Sequence, residues 1–141
     1  MKGPALPPLK IGDSSKVREG KALAFTGFPL GMVLGLHHVT HRCIVSAITP
    51  LATPAITARQ LDPKAARQLQ KPVYAVFQLD GTAYPGSSGS PLFDPATGEV
   101  VGVVNMVFVK GVKESAISAP SGITYAVPAN YLKAAPPPDG R

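Results

Sequence analysis

The sequence contains a single cysteine, Cys43, no tryptophan, and no long run of apolar residues. One cysteine excludes an internal disulfide and every cysteine-rich zinc spacing. Its apolar neighbours Ile44 and Val45 indicate a buried, unreactive thiol. No stretch approaches the ~20 apolar residues of a membrane span, and the first eight residues lack the apolar core of a signal peptide. We therefore expect no membrane partner and no targeting segment in this sequence.

Charge is also sparse, because only 16% of the 141 residues are charged, whereas 45% are hydrophobic. A chain of this composition is too apolar and too weakly charged to be disordered as a whole, and it is expected to form one domain with a buried core. The net charge of +6 comes from basic residues that are scattered along the chain without interleaved aromatic residues. A solvated surface explains them better than a nucleic-acid site. A nucleic-acid-binding barrel stays an alternative that depends on charge alone, and its binding would weaken steeply with salt.

The 14 glycines and 16 prolines divide the chain into short elements. Runs rich in valine, isoleucine, threonine and aromatic residues predict strands over residues 21–27, 39–48, 54–59, 73–79, 100–108 and 122–127. Residues 94–99 have the composition of a hairpin loop between residues 91–93 and the strand from residue 100. Short helices are predicted over residues 62–70 and 129–134. This pattern indicates an all-β barrel or sandwich at residues 9–135, with an extended segment at 1–8 and a disordered proline-rich tail at 136–141.

The segment with the clearest chemical signal is the turn around Ser88. Nucleophilic serines of acyl-transfer enzymes lie on tight turns that expose the hydroxyl and direct backbone N–H groups at the developing oxyanion. Gly86 and Gly89 flank Ser87 and Ser88 in such an arrangement. The N–H groups of Gly86 and Ser88 are the candidate oxyanion donors. A flexible glycine- and serine-rich surface loop is the alternative interpretation.

The turn also belongs to an ordered series of segments, PGSSGSPLF at residues 85–93, GEVVGVVN at 98–105 and GITYAVP at 122–128. Upstream segments are IGDSS at 11–15, GKALAFTGFPLG at 20–31 and IVSAI at 44–48. Together they resemble the second β-barrel of trypsin-like serine proteases, and most closely the bacterial high-temperature-requirement, or Deg-type, proteases. The resemblance covers roughly residues 9–134. It implies a single six-stranded antiparallel Greek-key barrel of the trypsin-like fold, followed by a short C-terminal helix.

The resemblance implies that Ser88 is the catalytic nucleophile and that the Gly86 and Ser88 N–H groups form the oxyanion hole. Two residues depart from the family pattern, since Ser87 stands where asparagine or aspartate is usual and Ser90 where glycine is frequent. Neither change removes the hydroxyl or the backbone donors.

The resemblance further implies two groups of substrate-binding residues. Asn105, Met106 and Val107 would form the strand that pairs with the substrate backbone. Thr82, Gly122 and Thr124 would line the specificity pocket, whose lack of charge favours small or medium apolar side chains. Ordinary strand and turn packing is the alternative for Thr82, Gly122 and Thr124.

A serine nucleophile needs a histidine base that a carboxylate orients. In the resembled family both come from a first barrel, which would precede Leu9. The sequence has three histidines, His37, His38 and His41, for which three interpretations stay open: surface or loop residues, a metal site completed by a further ligand, and a substitute base. Asp80 is interpreted as a turn residue ahead of Gly81.

The sequence therefore predicts the C-terminal half of a serine-type endopeptidase domain, inactive in isolation because it lacks the histidine and aspartate of the triad. The alternative is a catalytically inactive peptide-binding or assembly module with the same fold. We expect no cofactor, no metal and no nucleic-acid partner. A polypeptide substrate is expected, together with a first-barrel chain or a second copy of this chain on the exposed seam. The resemblance implies the periplasm or cell envelope.

Overall fold

The computed structural model describes residues 3, 6–29, 35–50, 75–105 and 123–135. Within these ranges the chain forms the strands β1 (Ala22–Gly27), β2 (Val39–Pro50), β3 (Ala75–Asp80), β4 (Pro91–Phe93), β5 (Val100–Asn105) and β6 (Ile123–Pro128). A short helix, α1 (Ala129–Ala134), follows β6, and a 3-10 turn at Ser14–Lys16 precedes β1. The all-β class and the short C-terminal helix are confirmed.

The six strands close into an antiparallel barrel in the order β1-β2-β3-β6-β5-β4. The last three strands follow one another along the chain, and β3 lies beside β6, which is a Greek-key order. Because every neighbouring pair is antiparallel, β1, β3 and β5 end at the same rim of the barrel where β2, β4 and β6 begin. We call this rim the upper rim.

The barrel interior is filled by side chains that alternate along the strands. Phe25, Leu23, Leu79, Leu92 and Val45 are each at most 1% exposed. Burial of a side chain of this size contributes roughly 1.5–3 kcal/mol relative to exposure. Apolar burial in the barrel is thus the main source of stability for the frame that holds the upper rim.

One predicted strand and one predicted helix, at residues 54–59 and 62–70, lie outside the described residues. The sixth strand of the barrel is instead the three-residue β4, which the sequence indicates only as one side of a hairpin. The loop at residues 94–99 is confirmed: the Asp94 side chain accepts a hydrogen bond from Ala96 N at 2.9 Å, and Gly98, at φ 73°, donates to Asp94 O at 2.7 Å. A hydrogen bond from Lys21, 2.8 Å away, lowers the pKa of the Asp94 carboxyl.

The segment before β1 is hydrogen-bonded to the end of the barrel opposite the upper rim. Gly12 N donates to Val100 O at 2.8 Å, and Val100 N donates to Lys10 O at 2.9 Å, which makes a short parallel bridge to β5. Asn130, near the start of α1, exchanges hydrogen bonds with Ser14 of 3.2 and 3.0 Å. Asn130 also donates to the Asp13 carboxylate at 2.9 Å. We call residues 10–17 the strap.

No helix in the described part of the chain is long and apolar enough to cross a membrane.

Candidate active site

Residues 81–90 connect β3 to β4 across the upper rim. Four other strand ends meet there: the ends of β1 and β5 and the beginnings of β2 and β6. The closed antiparallel barrel thus surrounds one short turn with segments that are far apart in the sequence. We call residues 84–90 the serine turn.

The entry to the serine turn is fixed by β6. The Thr124 hydroxyl donates to Gly81 O at 2.5 Å and accepts a hydrogen bond from Ala83 N at 3.0 Å. Gly81 also lies against Cys43, since a Cβ at Gly81 would stand 2.8 Å from the Cys43 Cβ. Burial, and secondarily the charge of Asp80, raises the pKa of the Cys43 thiol to about 11. The thiol is therefore protonated at neutral pH, in agreement with the unreactive cysteine predicted from the sequence.

Within the serine turn, two hydrogen bonds fold the backbone back on itself. Ser87 N donates to Tyr84 O at 2.9 Å, and Ser90 N donates to Ser87 O at 3.1 Å. The bend needs positive φ angles at Gly86, 98°, and at Gly89, 86°. Residues with a Cβ rarely adopt such angles, which explains the glycine at each of these positions.

The exit of the serine turn is held by β5 and β1. Gly89 N donates to Val104 O at 2.8 Å, and Val104 N donates to Ser90 O at 2.9 Å. At the end of β1, a Cβ on Gly27 would collide with the Ser90 hydroxyl and would stand 3.5 Å from the Ser87 Cα. Gly27 therefore allows the turn to pack directly on β1. The sequence does not reveal this role, because nothing local distinguishes Gly27 from a glycine at the end of any strand.

These contacts leave Ser88 as the exposed hydroxyl residue of the turn, whereas Ser87 is 0% and Ser90 5% exposed. The N–H groups of Ser87, Gly89 and Ser90 are all used in the hydrogen bonds above. The N–H groups of Gly86 and Ser88 have no acceptor among the described residues. An exposed hydroxyl beside two unused donors on a braced turn is an arrangement suited to receive a carbonyl group and its oxyanion.

Of the predicted substrate-binding residues, Thr82, Asn105 and Thr124 lie near the serine turn, and Met106, Val107 and Gly122 lie outside the described residues. Asn105 is exposed and directly follows Val104, which bonds the turn. Thr82 is half-buried at the entry. Thr124 is only 3% exposed, and its hydroxyl bonds Gly81 and Ala83 just before the turn, which favours packing over pocket lining for this residue.

The three histidines occupy different environments. His37 and His38 are exposed before β2, as the surface interpretation predicts. His41 lies within β2, where its ring stacks on Phe25 with centroids 5.1 Å apart and lies 6.3 Å from the Tyr84 ring. Its Nε2 is enclosed, so it has no access to an exposed nucleophile.

Within the described residues, no cluster of three or more histidine, cysteine, aspartate or glutamate side chains is placed to hold a metal ion. Asp80 ends β3 and is exposed ahead of Gly81, at the position expected for a turn residue.

The closed six-stranded antiparallel barrel, with its braced Gly-Ser-Ser-Gly turn on the rim, has the form of a trypsin-like peptidase barrel. A profile of the family described as "Trypsin-like peptidase domain" matches residues 1–103. The chain belongs to this family, and the curated proteins to which it is similar include DegP-like proteases.

Among curated proteins, the chain is 32% identical over 124 residues to the "Probable periplasmic serine endoprotease DegP-like" of Halomonas elongata, with 87% of this chain and 20% of that protein covered. It is 26% identical over 127 residues to "Protease Do-like 1, chloroplastic" of Arabidopsis thaliana, with 90% of this chain and 24% of that protein covered. The chain thus spans about a fifth to a quarter of the length of these relatives.

Among solved structures, the "HtrA-type protease AlgW with decapeptide" matches with a TM-score of 0.61 at 23% identity, over 94% of this chain and 33% of that one. The inactive form of the Rv3671c protease matches with a TM-score of 0.59 at 21% identity, over 92% of this chain and 52% of that one. At these identities the structural likeness confirms the trypsin-like fold.

Proposed function

We propose that this chain is the nucleophile-bearing half of a serine endopeptidase domain. The observation that supports the proposal is the exposed Ser88 beside the two N–H groups, of Gly86 and Ser88, that no described residue occupies. The N–H groups of Ser87, Ser90 and Gly89 are bonded to the carbonyl groups of Tyr84, Ser87 and Val104, so the backbone around the Gly86 and Ser88 donors is held in place.

In the proposed reaction, the Ser88 Oγ attacks the carbonyl carbon of a peptide bond while a histidine base removes the hydroxyl proton. The Gly86 and Ser88 N–H groups stabilise the resulting oxyanion. The histidine returns the proton to the departing amine, and water then hydrolyses the acyl-enzyme. A first barrel, on a preceding segment or a separate chain, supplies the histidine and its carboxylate, as in the resembled family, because the Nε2 of His41 is enclosed and does not reach an exposed hydroxyl.

The same proposal assigns Asn105, Met106 and Val107 to backbone recognition of the substrate and Thr82 and Gly122 to the walls of an uncharged pocket. Thr124, which the sequence also suggests for the pocket, instead holds the residues before the serine turn through its hydroxyl. Asn105 is exposed at the end of β5, where an added peptide strand would continue the sheet. The AlgW protease was solved with a decapeptide, which supports a polypeptide as the substrate class.

The first barrel would dock at the upper rim. Phe28 is 50% exposed, Leu36 82% and Val39 38%. All three lie at the end of the β1–β2 hairpin where β1 connects to β2, next to Gly27, on which the serine turn packs. Exposed apolar groups of this size commonly mark interaction sites. We propose a first-barrel polypeptide as the partner, with residues 9–135 as the folded unit, and the periplasm or cell envelope as the compartment.

The test joins a first barrel from a DegP-like relative, carrying its histidine and aspartate, to the N-terminus of this chain. Hydrolysis of fluorescent casein is expected from the fusion and not from the chain alone, since loss of triad residues leaves only a ~10³–10⁴-fold acceleration over water. Ser88→Ala should abolish the activity. Ser46→Ala, which changes an exposed serine on β2, should retain it. Equal activity of the Ser88→Ala and parent fusions would refute Ser88 as the nucleophile.

The second candidate is an inactive peptide-binding module, favoured by the enclosed Nε2 of His41, which is not available as a base. Such a module would bind extended peptides along β5 and leave them intact. Titration of a labelled peptide followed by mass spectrometry separates the candidates. Binding by the fusion without any cleavage would favour the module.

A further inference from the structure

Two enclosed side-chain atoms in the described part of the chain have no hydrogen-bond partner: the Nε2 of His41 and the Oγ of Ser87. Buried polar groups in folded proteins are almost always paired, with protein atoms or with ordered water. Ser87 is 0% exposed, so bulk solvent does not reach its hydroxyl. The two atoms therefore require a partner inside the protein.

Both residues lie over the same part of the upper rim. His41 is opposite Phe25 in the register of β1 and β2, and its ring stacks on the Phe25 ring. Two residues further along β1, on the same face, Gly27 supports Ser87. Tyr84 lies near both residues. Its ring centroid is 6.3 Å from that of His41, and its carbonyl oxygen accepts a hydrogen bond from Ser87 N at 2.9 Å.

Their chemistry is complementary. An imidazole nitrogen and a hydroxyl can each exchange a hydrogen bond with a water molecule, and the Tyr84 carbonyl has a second lone pair available as a third partner. A buried water typically makes two to four such bonds to groups that are otherwise unpaired. We propose that a single enclosed water molecule bridges the Nε2 of His41 and the Oγ of Ser87, and that His41 thereby acts as a positioning residue of the serine turn.

The bridge explains how a short side chain is accommodated at position 87, where the resembled family usually has asparagine or aspartate. A serine hydroxyl is one bond from Cβ, and the water extends its reach toward β2. The inference that the bridge matters for catalysis rests on the proposed function. The inference that a water molecule is bound there does not. Failure of casein hydrolysis would leave the bridge intact, and loss of the bridge would leave the assignment of Ser88 intact.

The experiment uses the 141-residue chain and nuclear magnetic resonance. Rotating-frame Overhauser spectra should show a long-lived water next to the Ser87 amide and the His41 ring. This signal should disappear in Ser87→Ala and in His41→Phe, which keeps an aromatic ring beside Phe25 and Tyr84. Ser87→Asn, whose side chain reaches further and carries both donor and acceptor atoms, should displace the water and retain the hydrogen-bond-dependent nitrogen shift of the His41 ring.

A double-mutant cycle measures the energetic coupling between Ser87 and His41. The unfolding equilibrium constant of the variant with both Ser87→Ala and His41→Phe should differ from the product of the single effects by at least about threefold. His38→Phe combined with Ser87→Ala is the matched control and should be additive, because His38 is exposed and lies against Phe28 instead. Additive effects for His41 and Ser87, or no long-lived water in the parent, would overturn the proposal.

Discussion

The packing of the serine turn on β1 predicts that Gly27→Ala destabilises the protein through one specific contact. The new Cβ would overlap the Ser90 hydroxyl, while its other neighbours, the Ser90 Cβ at 3.4 Å and the Ser87 Cα at 3.5 Å, stay at ordinary contact distances. Such overpacking costs about 1–3 kcal/mol. For a chain of this length, that loss corresponds to a thermal midpoint lower by roughly 3–10 °C. Calorimetry or circular dichroism measures the shift.

Because the collision involves one oxygen, its removal should relieve the strain. In a Ser90→Ala background, Gly27→Ala should change the free energy of unfolding by less than about 0.5 kcal/mol, a size typical of neutral substitutions. Gly98→Ala is the control. It places a methyl group at φ 73° with no atom within 4 Å, so its cost is backbone strain of about 1–2 kcal/mol that Ser90→Ala should not relieve. Equal destabilisation by Gly27→Ala in both backgrounds would refute the contact.

Three further predictions concern acid stability, the serine turn and association. Hydrogen bonds from Asn130 and Ser15 lower the pKa of Asp13 to about 2 in the folded protein. Between pH 4 and 2 the Asp13 carboxyl therefore binds a proton more readily in the unfolded chain than in the folded one. The free energy of unfolding should fall as the pH drops through this window. Asp13→Asn should reduce that dependence in acid unfolding curves, and an unchanged pH slope would contradict the assignment. Ser88→Ala should alter the free energy of unfolding by less than about 0.5 kcal/mol, whereas Gly86→Val should lower it by about 1–3 kcal/mol. Equal thermal midpoints for both variants and the parent would argue against the braced turn. The chain alone should self-associate at tens of micromolar in light scattering through the exposed Phe28 and Leu36, and aspartate at both positions should keep it monomeric. A monomeric parent would show that this surface does not drive association.

The strands are predictable where the alternation of apolar residues is local. The sequence predicts β1 over residues 21–27, and the strand is found at Ala22–Gly27; β2 begins at Val39, as predicted. β4 is harder, because three residues are too few to show a period, and its pairing depends on β1 and β5. Short strands of this kind are defined by their neighbours and not by their own sequence.

In the candidate site, too, features that depend on local sequence are predictable and features that depend on distant contacts are not. The bend at Gly86 and the exposure of Ser88 follow from a local motif, since glycine is strongly favoured where φ is positive. Val104 bonds the turn and Thr124 bonds the residues just before it, and these contacts connect residues 14 to 43 positions apart. The sequence of either segment alone therefore does not predict them. The enclosure of the His41 Nε2 is not predictable either, because strand alternation specifies the face of a side chain but not what covers it.

The strap also has a consequence for the order of folding events. Ser14 and Asn130 are 116 positions apart, and their two mutual hydrogen bonds form only when nearly the whole chain has come together. Closing so long a loop costs entropy before any contact compensates for it. The barrel strands, which bury the large apolar side chains, should therefore assemble first, and the docking of the strap on α1 should be among the last steps. By the same argument, the strap should be among the first segments to detach when the native protein opens locally.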